Sequence, residues 1–128
     1  MINEPIIRKP KMHFDTTAQP PNVTFDDGKH VRRNLPWHDY VETRWDHATA
    51  AIIKIIIGDW RIELRGHNLA PLFQAIEDNS LARVKAQPAL KEDAARVIDT
   101  FVTDVVFTRL SPGPELSNPN QEELNLGG

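Results

Sequence analysis

The most regular pattern in the chain is a pair of β-prone runs, Ile52-Ile53-Lys54-Ile55-Ile56-Ile57 and Trp60-Arg61-Ile62-Glu63-Leu64-Arg65, separated by Gly58-Asp59. A two-residue loop of this kind suits the primed turns that match strand twist, so the spacing predicts a β-hairpin of fixed register. Side chains alternate along a strand. Counting outward from the turn therefore sets Ile57, Ile55 and Ile53 opposite Trp60, Ile62 and Leu64 on one wholly apolar side. The other side pairs Ile56 with Arg61, Lys54 with Glu63 and Ile52 with Arg65, one complementary charge pair and two aliphatics beside arginines.

Helical spacing takes over after Gly66-His67. Leu69, Leu72, Phe73 and Ile76 recur at i, i+3, i+4 and i+7, Asn68 stands where an N-cap belongs, and Pro71 falls in the first turn. Asp78-Asn79-Ser80 reads as a stop and residues 81–86 as a short strand, giving a strand-helix-strand crossover from the second strand of the hairpin. Leu90, Ala94, Val97 and Ile98 fit another helix. Residues 100–108, dense in Thr, Val and Phe, fit a final strand; a single helix through Phe107 is the alternative, because Leu90, Ala94, Val97, Ile98, Phe101 and Val105 also match helical spacing. Ahead of the hairpin, Asn34-Leu35-Pro36 followed by Trp37, Tyr40, Val41 and Trp45 predicts a helix with Pro near its first position. This order describes an α+β two-layer sandwich, a mixed sheet of about four strands centred on the 52–65 hairpin with helices on one face.

Composition divides the 128 residues further. Seven of the ten prolines lie in residues 1–34 and 111–128, whereas half of residues 35–110 are apolar. Segments poor in apolar side chains cannot offset chain entropy. The expectation is a single α+β core domain over 35–110, a flexible N-terminal arm over 1–34 with one edge strand, and a disordered acidic tail over 111–128. Ile6 and Ile7, Met12 and Phe14, and Val23 and Phe25 give the arm apolar groups to dock on its own core or on a neighbouring copy. A core of this size is marginal by area scaling, which favours added burial from the arm or from self-association.

A net charge of −3, extreme in no segment, argues against bulk nucleic-acid binding, and the absence of Cys removes disulfides, thiol nucleophiles and Cys-based zinc sites. No run approaches the roughly 18 apolar residues of a membrane-spanning helix, and the polar start lacks a secretory h-region. The chain reads as cytoplasmic, with no membrane partner.

Candidate chemistry is sparse. On the predicted helix His38, Glu42 and Asp46 stand one above another, an arrangement that could hold zinc or manganese, although the same residues make an ordinary hydrated face. His67, at a strand end before a helix start, could serve as a general base, yet one His without a nucleophile defines no reaction. His13, Asp15 and His30 are weaker still. Asp26-Asp27-Gly28 lacks the later ligands of a calcium loop and reads as a turn. Asn22-Val23-Thr24 matches a glycosylation sequon, which without an export signal has no occasion. No phosphate-binding glycine loop, dinucleotide fingerprint or GxSxG elbow is present, and nothing implies a cofactor.

For nucleic acid, Arg32, Arg33 and Trp37 with Lys54, Arg61 and Arg65 are the best set, opposed by Glu63 among them and by an acidic core. The remaining feature is Ile52 and Ile56 bordered by Arg61 and Arg65, an apolar strip rimmed by arginine of the kind association surfaces use. The sequence therefore favours a small non-catalytic module that binds a protein partner or a second copy of itself as a homodimer. The competing readings are a metal-assisted hydrolase on His38, Glu42 and Asp46 with His67, and a nucleic-acid-binding protein.

Overall fold

A computed structural model describes residues 9–92 and 98–110 of the chain. Eight strands form two four-stranded sheets: β1 (Phe14–Thr16), β2 (Asn22–Asp26), β3 (Arg32–Pro36) and β7 (Leu81–Lys85) in one, β4 (Tyr40–Arg44), β5 (Ile52–Ile57), β6 (Trp60–His67) and β8 (Phe101–Arg109) in the other. A single α-helix, α1 (Ala70–Glu77), is present among the described residues, with 3₁₀ turns at Trp37–Asp39, His47–Thr49 and Pro88–Glu92.

The hairpin forms in the register that the two-residue loop dictates, from Ile57↔Trp60 to Ile52↔Arg65. Among the two loop residues only Gly58 has a positive φ, 58°, the pattern of a type II′ turn, which needs glycine at its first central position. β4 adds to one side of the hairpin and β8 to the other, so this sheet, ordered β4-β5-β6-β8, is antiparallel throughout. The four-stranded mixed sheet is the other one, ordered β1-β7-β2-β3, in which only β2 and β7 run parallel.

Both sheets and the helix feed one core. Ile53, Ile55, Ile57, Ile62 and Leu64 from the hairpin, Val23 and Phe25 from β2, Leu72 from α1, and Leu81 and Val84 from β7 are all without solvent exposure. Arg33 of β3 crosses between the sheets, its guanidinium 3.7 Å from the centre of the Trp60 ring and 4.9 Å from that of Phe107. Stacking lets the planar guanidinium enter an aromatic layer that would exclude an ammonium group.

Several expectations are corrected. The helix over 35–45 does not form: Leu35 and Pro36 end β3, and Tyr40–Arg44 is strand β4, paired with β5. Trp37, Tyr40, Val41 and Trp45 fit helical spacing, but the hairpin edge offers this segment a ladder of backbone bonds, and tertiary pairing overrides the local pattern. The crossover from β6 through α1 changes sheet, because β7 inserts between β1 and β2. Asn68 does not cap α1; with φ +57° it turns the chain, donates from Nδ2 to the Ile98 carbonyl and accepts from the Thr100 hydroxyl through its own carbonyl. Leu69 holds the N-cap position.

Residues 9–34 supply more than one edge strand. Their three strands build most of the mixed sheet, and residues 11–13 are stitched to Asp99 and Thr100 through His13 N–H to Thr100 O, Thr100 N–H to Lys11 O and Lys11 N–H to the Asp99 carboxylate. The final strand over 100–108 is observed as β8. The helix proposed for residues 90–98 meets a 3₁₀ turn at Pro88–Glu92, and residues 93–97 lie outside the described residues, as does the tail 111–128. No helix among the described residues is long and apolar enough to cross a membrane.

Candidate interaction face

Alternation along β5 and β6 sends one set of side chains into the core and the other outward. The outward rows follow from the register: Glu42, Ile56, Arg61 and Thr108 in one, Arg44, Lys54, Glu63 and Val106 in the next, then Ile52, Arg65 and Asp104. Ile52 and Ile56 are only partly buried, and Val106 keeps 37% of its surface exposed. The described part of the N-terminal segment, residues 9–34, does not lie over them, since its strands form the opposite sheet and Arg33 meets the inner side of this one at Trp60.

The charges on this face are unequally satisfied. Arg65 donates from Nε and Nη2 to Glu63 Oε1, at 3.3 and 3.0 Å. Arg61 differs: its Nε is buried and has no hydrogen-bond partner. A buried donor left unpaired is costly, so it marks a place where an added acceptor stabilises.

At one end of the face a cleft of about 400 Å³ opens between Ile52, Arg65, His67, Phe101, Thr103 and Asp104. The ladder is irregular here because β8 carries an extra residue, Thr103, between the partners of Arg65 and Gly66, and a Cβ at position 66 would collide with the Phe101 carbonyl. The structure thus brings His67 beside Ile52 and Arg65, which the sequence treated separately. His67 stacks on the Phe101 ring, centroids 5.5 Å apart, while His13 meets the same ring edge-on at 6.2 Å. His13 Nε2 lies 3.7 Å from Asp99 Oδ2, and Asp99 is fully buried. Sequence reasoning missed Asp99, since nothing in the run Ile98-Asp99-Thr100 signals that its carboxylate folds inward to take the Lys11 amide.

The other candidate sets are not assembled as the sequence suggested. His38 sits in a 3₁₀ turn, paired with Asp39 at 3.0 Å, Glu42 lies on β4 and Asp46 precedes the next 3₁₀ turn, so the helical stack of His38, Glu42 and Asp46 does not exist. No group of three or more His, Asp or Glu that could hold a metal ion occurs among the described residues. Of the basic set, Arg33 points inward, Arg32 pairs with Asp26 at 3.3 Å, and Trp37 gives its indole N–H to the Leu81 carbonyl. Only Lys54, Arg61 and Arg65 share a face.

Asp26-Asp27-Gly28 is a turn, as its residue types indicate. Asp27 Oδ1 accepts from the backbone N–H groups of Val31, Lys29 and His30, and these bonds hold its carboxyl below the usual carboxylate range. Another cleft, about 660 Å³, lies elsewhere, between Pro20, Pro21, Trp37, His38, Tyr40 and Glu77. Its His38 is the one paired with Asp39. Comparison with protein-family models, with curated proteins and with solved structures found no match to this chain.

Proposed function

We propose that the protein is a small non-catalytic binding module whose docking surface is the outward face of the β4-β5-β6-β8 sheet, with Ile52, Ile56, Arg61 and Arg65 as its contact residues. The observation that carries this reading is the set of partly exposed aliphatics bordered by Arg61 and Arg65 on one sheet face. Aliphatic contact supplies burial, and the arginines offer donors to acceptors on a partner.

Photo-crosslinking tests it. A benzoylphenylalanine residue placed at Ile56, in the cells that make the protein, is expected to yield a discrete protein adduct, the chain itself included. The same group placed at Thr24, on the outward face of the mixed sheet, is expected to yield none. Equal labelling at the two positions, or no adduct at Ile56, overturns the docking face.

A further inference from the structure

The two sheets have four edge strands between them, and three are blunted. β1 has three residues and a register shift, β3 ends in Pro36, and β4 is bulged between Tyr40 and Glu42. Short, bulged or proline-bearing edges resist pairing with another strand. β8 is bulged too, at Thr103, but it is the longest strand, with nine residues, and beyond the bulge its run Asp104-Val105-Val106-Phe107-Thr108-Arg109 keeps one register and contains neither Pro nor Lys.

The direction of its free backbone groups follows from the register. Arg109 faces Trp60, and the next residue, Leu110, donates its N–H to Asp59 O, so Arg109 and Trp60 form a non-hydrogen-bonded pair. Thr108, Val106 and Asp104 therefore bond to β6, while Val105, Phe107 and Arg109 turn their N–H and C=O groups to the far side. Among the described residues the far side of β8 receives one backbone bond, from Gln87 N–H to Val102 O, before this run begins.

We infer that β8 is the edge through which two copies of the chain pair, antiparallel about a twofold axis at Val106. The strand is self-complementary only in a register that keeps outward side chains outward. With the axis at Val106, Val105 of each copy faces Phe107 of the other, and both pairs exchange N–H···O bonds. Val106 meets Val106 at the centre, and Asp104 lies opposite Thr108. The row Ile56-Arg61-Thr108 of one copy then continues into Asp104-Arg65-Ile52 of the other. This sets the second copy's Asp104 in the same row as Arg61, across Thr108, so that a carboxylate joins a row that holds two arginines. The charge complementarity selects a second copy over an unrelated strand, and the result is one continuous eight-stranded docking platform.

The inference rests on the docking reading for its choice of sheet, and it is tested by a measurement that does not use Ile56. The chain has no cysteine, so a single Val106→Cys is a clean reporter. Facing residues of a non-hydrogen-bonded pair have Cα atoms about 4.5 Å apart, within the span of a disulfide. Under mild diamide oxidation, Val106→Cys is expected to form a covalent dimer in the folded state and not in urea. Thr108→Cys and Asp104→Cys are each expected to stay monomeric alone and to cross-link when mixed. Val106→Asp places like charges opposite each other and is expected to weaken the dimer about tenfold or more by sedimentation, with pairing restored on mixing with Val106→Lys.

Trapping of Val106→Cys no faster than Thr108→Cys overturns the edge pairing while leaving the Ile56 adducts to stand or fall separately. Because Val106 points to solvent, unchanged thermal melting of the variants shows that lost pairing is not lost folding.

Discussion

The outward faces of the two sheets are built from the same strand geometry and opposite chemistry. On the mixed sheet the outward positions are Asp15, Asn22, Thr24, Asp26, Arg32, Asn34, Arg83 and Lys85, with Pro36 opposite Asn22 the exception in a polar face. They satisfy one another across strands: Asn22 Nδ2 donates to Asn34 Oδ1 at 2.6 Å, Asn34 Nδ2 to Thr24 Oγ1 at 2.9 Å, and Arg32 pairs with Asp26. The antiparallel sheet instead turns out Ile52, Ile56 and Val106 and leaves Arg61 Nε without an acceptor. Water completes the first face. The second leaves partly exposed aliphatics beside arginines, which is why the proposed binding reading rests there.

The sharpest contrast lies within one strand. Ile55→Ala, on the buried side of β5, is expected to cost about 3 kcal/mol in denaturant unfolding, in the range for emptying an isoleucine site. Ile56→Ala, one residue away on the outward side, is expected to cost under about 1 kcal/mol in the isolated chain. Equal losses at the two positions would mean that the outward face is already covered.

Next in size is the link between the sheets. Arg33→Ala removes the cation stacked between Trp60 and Phe107 and is expected to destabilise by about 1–2 kcal/mol, with a change in tryptophan fluorescence. Arg33→Lys is expected to recover little of this, because an ammonium group cannot stack flat on the indole. Full recovery by Lys would reduce the contact to one of charge alone.

The smallest effect belongs to the polar sheet's own turn. Asp27 has its carboxyl held low by three backbone donors, so its ionised form favours the folded state, and that contribution is present above the ordinary aspartate pKa and fades as pH falls through the depressed folded value. Asp27→Asn is expected to flatten the acid limb of the stability profile slightly and to leave the neutral-pH cross-link pattern at Ile56 unchanged. An acid limb identical to that of the original chain would remove Asp27 from the pH dependence.

Much of the antiparallel sheet was legible in the sequence because its determinants are local. A glycine at the turn and strict alternation fix Ile57 opposite Trp60, and β-branched density marks β8. The four outward residues Ile52, Ile56, Arg61 and Arg65 follow from that register alone. Of the mixed sheet the strand over 81–86 was legible, as β7, and its placement was not, because β1 and β2 acquire this common neighbour from far along the chain, and a low apolar fraction hid the fact that Val23 and Phe25 are fully buried. Residues 40–44 failed for a different reason: Tyr40, Val41 and Trp45 satisfy helical spacing, and only the presence of the β5 edge decides for a strand. The edge character of β8 depends on strand order, which periodicity does not encode.

That β7 separates β1 from β2 also governs how the molecule comes together. Among the described residues β1 has no strand neighbour other than β7, so its pairing there waits until residues 81–85 have left the ribosome. The β5-β6 hairpin, closed by a two-residue loop, assembles early, whereas the mixed sheet waits for a contact between distant segments such as Thr24 and Arg83. Long-range pairing of this kind slows folding, and Val23 and Phe25 are not fully enclosed until it is made.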